Sequence, residues 1–81
     1  MTDQPILQRI HDLAHEEEDL WRRAGDAGEL DPLGKQRLEV ISVELDQCYD
    51  LLRQRQAKRE FGQDPDEAHV RPPEVVEGYQ Q

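Results

Sequence analysis

Apolar positions recur along two stretches of the chain with a helical period. In the second and longer stretch, Leu38, Ile41, Leu45, Cys48 and Leu52 follow one another at alternating steps of three and four residues, which sets them on one stripe of a helix. Asp31 stands where a carboxylate can accept from the unpaired amides of a first turn, and Pro32 follows, where a missing N–H costs nothing. Gly62 is the first residue that can take the left-handed stop conformation cheaply, and Pro65 comes soon after. The pattern predicts a helix over about 32–61. In the first stretch, Ile6, Ile10, Leu13, Leu20 and Ala24 form a heptad seam interrupted by Glu17, and Leu7, Ala14 and Trp21 flank it at seven-residue spacing. Thr2 or Asp3 can cap this helix and Pro5 is tolerated in its first turn, giving a helix over about 3–26.

The connection between them, from Gly25 to Asp31, is short, and short links make antiparallel neighbours. The predicted fold is all-α: a coiled-coil-like antiparallel two-helix hairpin spanning residues 1–62, with Leu20 level with Leu38, Leu13 with Leu45 and Ile6 with Leu52. Residues 63–81 form a Pro-containing tail with apolar anchors at Val70, Val75, Val76 and Tyr79. Arg71 precedes a proline and is expected to be extended. Two readings of the tail stand: an extended C-terminal arm packed on the helices, or a mobile segment that binds a partner.

A hairpin buries one stripe per helix. That leaves Leu7 and Trp21 on the first helix, and Leu33, Val40 and Leu51 on the second, without cover. A buried Leu or Val contributes about 1.5–3 kcal/mol, against a backbone ordering cost of about 1–2 kcal/mol per residue. A lone hairpin of this size is therefore marginal, and small scaffolds recruit a further surface. The expectation is a homodimer forming a four-helix bundle, or a tail that covers the second face. Leu7, Trp21, Val40, Leu51, Val75, Val76 and Tyr79 are the candidate interaction residues.

Composition narrows the function. Of the 81 residues, 36% are charged and the net charge is −9, so phosphate backbones and anionic membranes repel the chain and nucleic-acid binding is not expected. The charge is uneven: −5 over residues 1–30, zero over 31–62 and −4 over 63–81. Arg53, Arg55, Lys58 and Arg59 fall in the last turns of the second helix, where they oppose its negative dipole end, with a docking patch as the alternative reading. The lone Cys48 allows no intrachain disulfide and reads as a small core hydrophobe. There is no apolar run long enough to span a membrane and no secretory signal pattern, so a cytoplasmic location is expected.

The chemistry-bearing candidates are few. His11, His15 and Glu18 share a helical face, and imidazoles four residues apart can chelate a divalent metal; without a second motif from the other helix, a solvated polar face is the plainer reading, and no cofactor is expected. In the acidic run Glu16–Asp19, Glu18 and Asp19 can pair with Arg22 and Arg23 one turn on, and Glu17 on the seam either reaches solvent or meets a base from another helix. Asp26, Glu29 and Asp31 at the tip resemble, in architecture alone, the acidic-tipped coiled coils of transcription factors that enter the RNA polymerase secondary channel, where tip carboxylates hold a catalytic magnesium. No phosphate loop, Cys-x-x-Cys pair or nucleophile elbow is present, and a two-helix rod has little concavity, so no enzyme is expected. The leading expectation is a non-enzymatic, acidic, cytosolic protein–protein interaction module that self-associates and also meets a protein partner. A divalent-metal-binding bundle and a polymerase-contacting regulator are the alternatives.

Leu30-Asp31-Pro32, the stretch Glu44-Leu45-Asp46-Gln47-Cys48-Tyr49-Asp50-Leu51-Leu52-Arg53-Gln54-Arg55, then Gly62-Gln63-Asp64-Pro65-Asp66, and above all Val70-Arg71-Pro72-Pro73-Glu74-Val75-Val76-Glu77-Gly78-Tyr79, resemble a family of short uncharacterised proteins found mainly in actinobacteria. The resemblance supplies no activity and no site residues. It implies a free-standing small protein whose tail is structured or binds a partner.

Overall fold

The computed structural model describes residues 2–25 and 29–76. Two long helices, α1 (Gln4–Ala24) and α2 (Pro32–Glu60), lie antiparallel; a 3₁₀ turn (Pro65–Glu67) and a single helical turn, α3 (Pro73–Val76), follow. The molecule is a rod of 51 × 24 × 17 Å, in keeping with the roughly 45 Å length that 29 residues give α2 at 1.5 Å each. No strand occurs among the described residues.

The helix ends follow from local chemistry. The Asp31 carboxylate accepts from the Gly34 amide at 2.7 Å with an extended backbone at Asp31, and Pro32 opens α2. A Cβ at Gly34 would lie 3.1 Å from Asp31 Oδ1, so the glycine admits this close approach. At the other end Gly62 takes φ +71°; its amide donates to the Arg59 carbonyl at 3.2 Å, and Gln63 donates to Lys58 at 2.7 Å. These two bonds are the paired terminal bonds of a Schellman stop. The start of α1 departs from expectation. Asp3 sits at the cap position but makes no side-chain cap bond, because its carboxylate is held elsewhere by two arginines; Thr2 Oγ1 accepts from Gln4 N at 3.3 Å instead.

The core is slender. Leu13, Ile41 and Leu45 are buried between the helices, with Ile10, Leu20 and Cys48 packed around them, so the predicted seam and the level of Leu13 with Leu45 both hold. Two ion pairs cross one flank of the seam: Arg9–Glu44 at 2.5 Å and Glu16–Arg37, with Arg37 Nη2 at 2.8 Å from Glu16 Oε1. The base reaches Glu16 and not the seam residue Glu17, which is half-buried.

α2 is the middle layer. α1 packs on one side of it, and the 3₁₀ turn and α3 pack on it as well, the tail running back toward the start of α2. The described part of the tail is thus a packed arm with two short helical turns rather than a plain extended strap. Val76, its last described residue, is 1% exposed.

Candidate functional site

Two surfaces organise the molecule: one where the tail is clasped to α2, and one where α1 is bare.

The clasp is built from α2 residues that face away from the seam. Asp50 is 1% exposed, and its two oxygens accept from Arg71: Nε at 2.8 Å on Oδ2, and Nη2 on Oδ1. Gln54, one turn on, donates to Asp50 Oδ2 at 2.8 Å and to the His69 carbonyl at 2.9 Å; Gln47, one turn back, donates to the Arg71 carbonyl at 3.1 Å. Residues at i−3, i and i+4 thus read three groups of an extended segment. The bidentate Arg71 guanidinium holds the Asp50 carboxyl below its ordinary range against the opposing effect of burial, with Gln54 adding to the fall.

A second knot lies nearer the end of α2. Arg55, 3% exposed, donates through Nε to Asp3 Oδ1 at 2.6 Å and through Nη1 to Asp66 Oδ1 at 3.1 Å and to the Pro65 carbonyl at 3.2 Å; Arg59 reaches Asp3 at 2.5 Å. One guanidinium therefore joins the start of α1, the body of α2 and the start of the tail. It lowers the Asp3 and Asp66 carboxyl pKa values, and Asp3 and then Asp66 raise its own. Arg55 and Arg59, expected to oppose the helix dipole, thus also pair with the start of α1, and Arg55 with the tail. Arg55 sits on the flank that meets both α1 and the tail, and burial in that position demands carboxylate partners.

Of the candidate interaction residues, Leu51 lines a groove of about 290 Å³ with Ile6, Cys48 and the tail anchor Val70, and Val76 is internal. Burial in that groove raises the Cys48 thiol pKa, which disfavours the thiolate. Val40 and Val75 are exposed, and Tyr79 lies outside the described residues. Leu7 and Trp21 are exposed at 46% and 55%. Helical periodicity sets Leu7, Ala14 and Trp21 on the flank of the seam opposite the two ion pairs, where α2 offers Lys35, Ser42 and Tyr49 at matching levels. Trp21 borders a shallow depression with Leu38, Lys35 and Glu39, in agreement with that placement. Leu51 lies on the tail side of α2, beside Val70, and not with Leu7 and Trp21.

His11 and His15 have ring centroids 6.5 Å apart, and His15 Nδ1 lies 3.5 Å from Asp19 Oδ2, not beside Glu18. Arg22 also takes Asp19, at 2.9 Å, three residues back and not the four expected for Glu18. No group of three potential metal ligands converges among the described residues. At the tip, Asp31 is occupied with its cap and Asp26 lies outside the described residues. Among the described residues no helix is long and apolar enough to cross a membrane.

A helical hairpin whose second helix is clasped by its own proline-bearing tail is the class of protein these features define. The chain belongs to the family described as protein of unknown function (DUF2630), which matches residues 2–81. It is 49% identical over 78 residues, covering 96% of this chain and 90% of each relative, to uncharacterized protein Rv0898c of Mycobacterium tuberculosis H37Rv, to MT0921.1 of the CDC 1551 strain and to Mb0922c of Mycobacterium bovis. No solved structure matches.

Proposed function

We propose that this protein is a non-enzymatic, cytosolic protein–protein interaction module that self-associates through the face of α1 bearing Leu7, Ala14 and Trp21. The observation that carries the reading is the exposure of Leu7 and Trp21, at 46% and 55%, on a flank that neither the ion pairs nor the described tail covers. Exposed aromatics of this size are the residue type that dominates interface energetics, and the small interhelical core leaves the hairpin in need of further burial. The unpaired Cys48 suits a reducing compartment.

Sedimentation equilibrium of the native chain beside Leu7→Glu and Trp21→Glu tests this. The native chain is expected to gain mass from the 9.5 kDa monomer toward twice that value across the micromolar range, and both variants to remain monomeric with unchanged helicity. A native chain that stays monomeric refutes the reading.

A further inference from the structure

We infer that the partner on this face is a second copy of the chain, related by a two-fold axis that lies in the interface, perpendicular to the helices, and passes through Ala14 and Ser42. The inference rests on the proposed self-association and adds its geometry.

The first argument is size. Along the bare face, large residues stand at both ends, Leu7 with Tyr49 and Trp21 with Lys35, and small ones in the middle, Ala14 with Ser42. Two helical layers packed at a shallow crossing angle approach most closely at the crossing point and diverge from it. Small side chains at the crossing and large ones at the ends fit that shape. With the axis through Ala14, each Leu7 lies on the partner's Trp21, and the contact occurs twice because the interface is isologous.

The second argument is charge. The chain carries −9, so two copies repel over most of their surfaces. The bare face carries both signs: Lys35 and Arg53 stand on it with Glu18 and Glu39, all four exposed, and Glu17 is half-buried at its edge. The choice of axis follows from the same residues. An axis perpendicular to the helices inverts the levels, bringing His11 beside the partner's Glu18 and Lys35 beside the partner's Tyr49, where an ammonium can sit on a ring face. An axis parallel to the helices preserves the levels and lays α1 over the partner's α2; Glu18 then confronts the partner's Glu39 twice. Like charges set face to face disfavour that arrangement.

The third argument is area. The face measures roughly 30 Å by roughly 20 Å, from the length of α1 and the width of two helices. That is about 600 Å², below the roughly 800 Å² per partner of a standard interface, and it suits a reversible dimer.

Disulfide trapping tests the geometry on the full-length chain with Cys48→Ala as background. Ala14→Cys and, separately, Ser42→Cys are expected to form covalent dimers under a glutathione buffer at least about ten-fold faster than Leu7→Cys or Trp21→Cys alone, because only residues on the axis bring their own Cβ atoms to about 4 Å. Mixed Leu7→Cys and Trp21→Cys chains are expected to cross-link with each other. Sedimentation of the background chain separates the two levels of the claim. A dimer in which neither Ala14→Cys nor Ser42→Cys traps overturns the axis while self-association stands; a background chain that is monomeric overturns both.

Discussion

Replacing Asp50 by Asn tests the clasp most sharply. The carboxylate accepts three hydrogen bonds, two from Arg71 and one from Gln54, and bonds to a charged group are worth about 1.5–3 kcal/mol each. Asn keeps the shape and one acceptor oxygen, so one Arg71 bond survives. Arg71 is 44% exposed and recovers water when released, which discounts the rest. The expected net cost is about 2 kcal/mol, or about a thirty-fold rise in the fraction of molecules with an open tail. Cys48 reports that opening, since it lines the groove that Val70 helps to close. Labelling by an aromatic disulfide reagent should therefore speed up by about thirty-fold in Asp50→Asn, with only a weak dependence on urea, as local opening exposes little surface. A rate unchanged from the native chain would refute the clasp. A gain that depends on urea as steeply as global unfolding would show that Asp50 supports the whole hairpin and not the tail.

Other consequences follow from the same contacts. The Asp50, Asp3, Asp66 and Glu16 carboxyl pKa values are all lowered by arginine partners, so their stabilisation is present above the ordinary values of 3.8 for Asp and 4.5 for Glu and is lost as pH falls through the lower folded values; urea midpoints should drop from pH 6 to pH 3, about the range over which such groups titrate, and the drop should shrink in Asp50→Asn. Gly62→Ala places a Cβ at φ +71° and is expected to cost about 1–2 kcal/mol in urea unfolding. Asp31→Ala removes the 2.7 Å cap bond to Gly34 and is expected to cost about 1 kcal/mol, with helicity lost first at the tip of the hairpin by amide exchange.

The helices were legible because their signals are local. Asp31-Pro32 and Gly62 mark the ends of α2 by capping chemistry alone, and the three–four spacing of Leu38, Ile41 and Leu45 identifies the seam that is buried. The register followed from the short link. The clasp was not legible, because its partners, Asp50 and Arg71, are far apart in sequence and neither belongs to an apolar stripe. A signal existed: Gln47, Asp50 and Gln54 form a polar strip on the side of α2 away from the seam, and Arg71 is the one base in an otherwise acidic tail. That strip carries no apolar periodicity, so hydrophobic spacing alone does not mark it. Periodicity says which residues of one helix share a face, but the side of the hairpin on which that face lies depends on the antiparallel geometry. The ion pairs Arg9–Glu44 and Glu16–Arg37 reveal it.

Trp21 is the chain's single tryptophan and stands in the middle of the central claim, that the exposed flank of α1 is covered by another molecule of the same protein. Its emission, followed on dilution from millimolar to sub-micromolar concentration, gives the most direct test. The account predicts a blue-shifted, acrylamide-protected indole at high concentration that shifts to the red on dilution along one binding curve. An indole that looks fully hydrated at every concentration would contradict it.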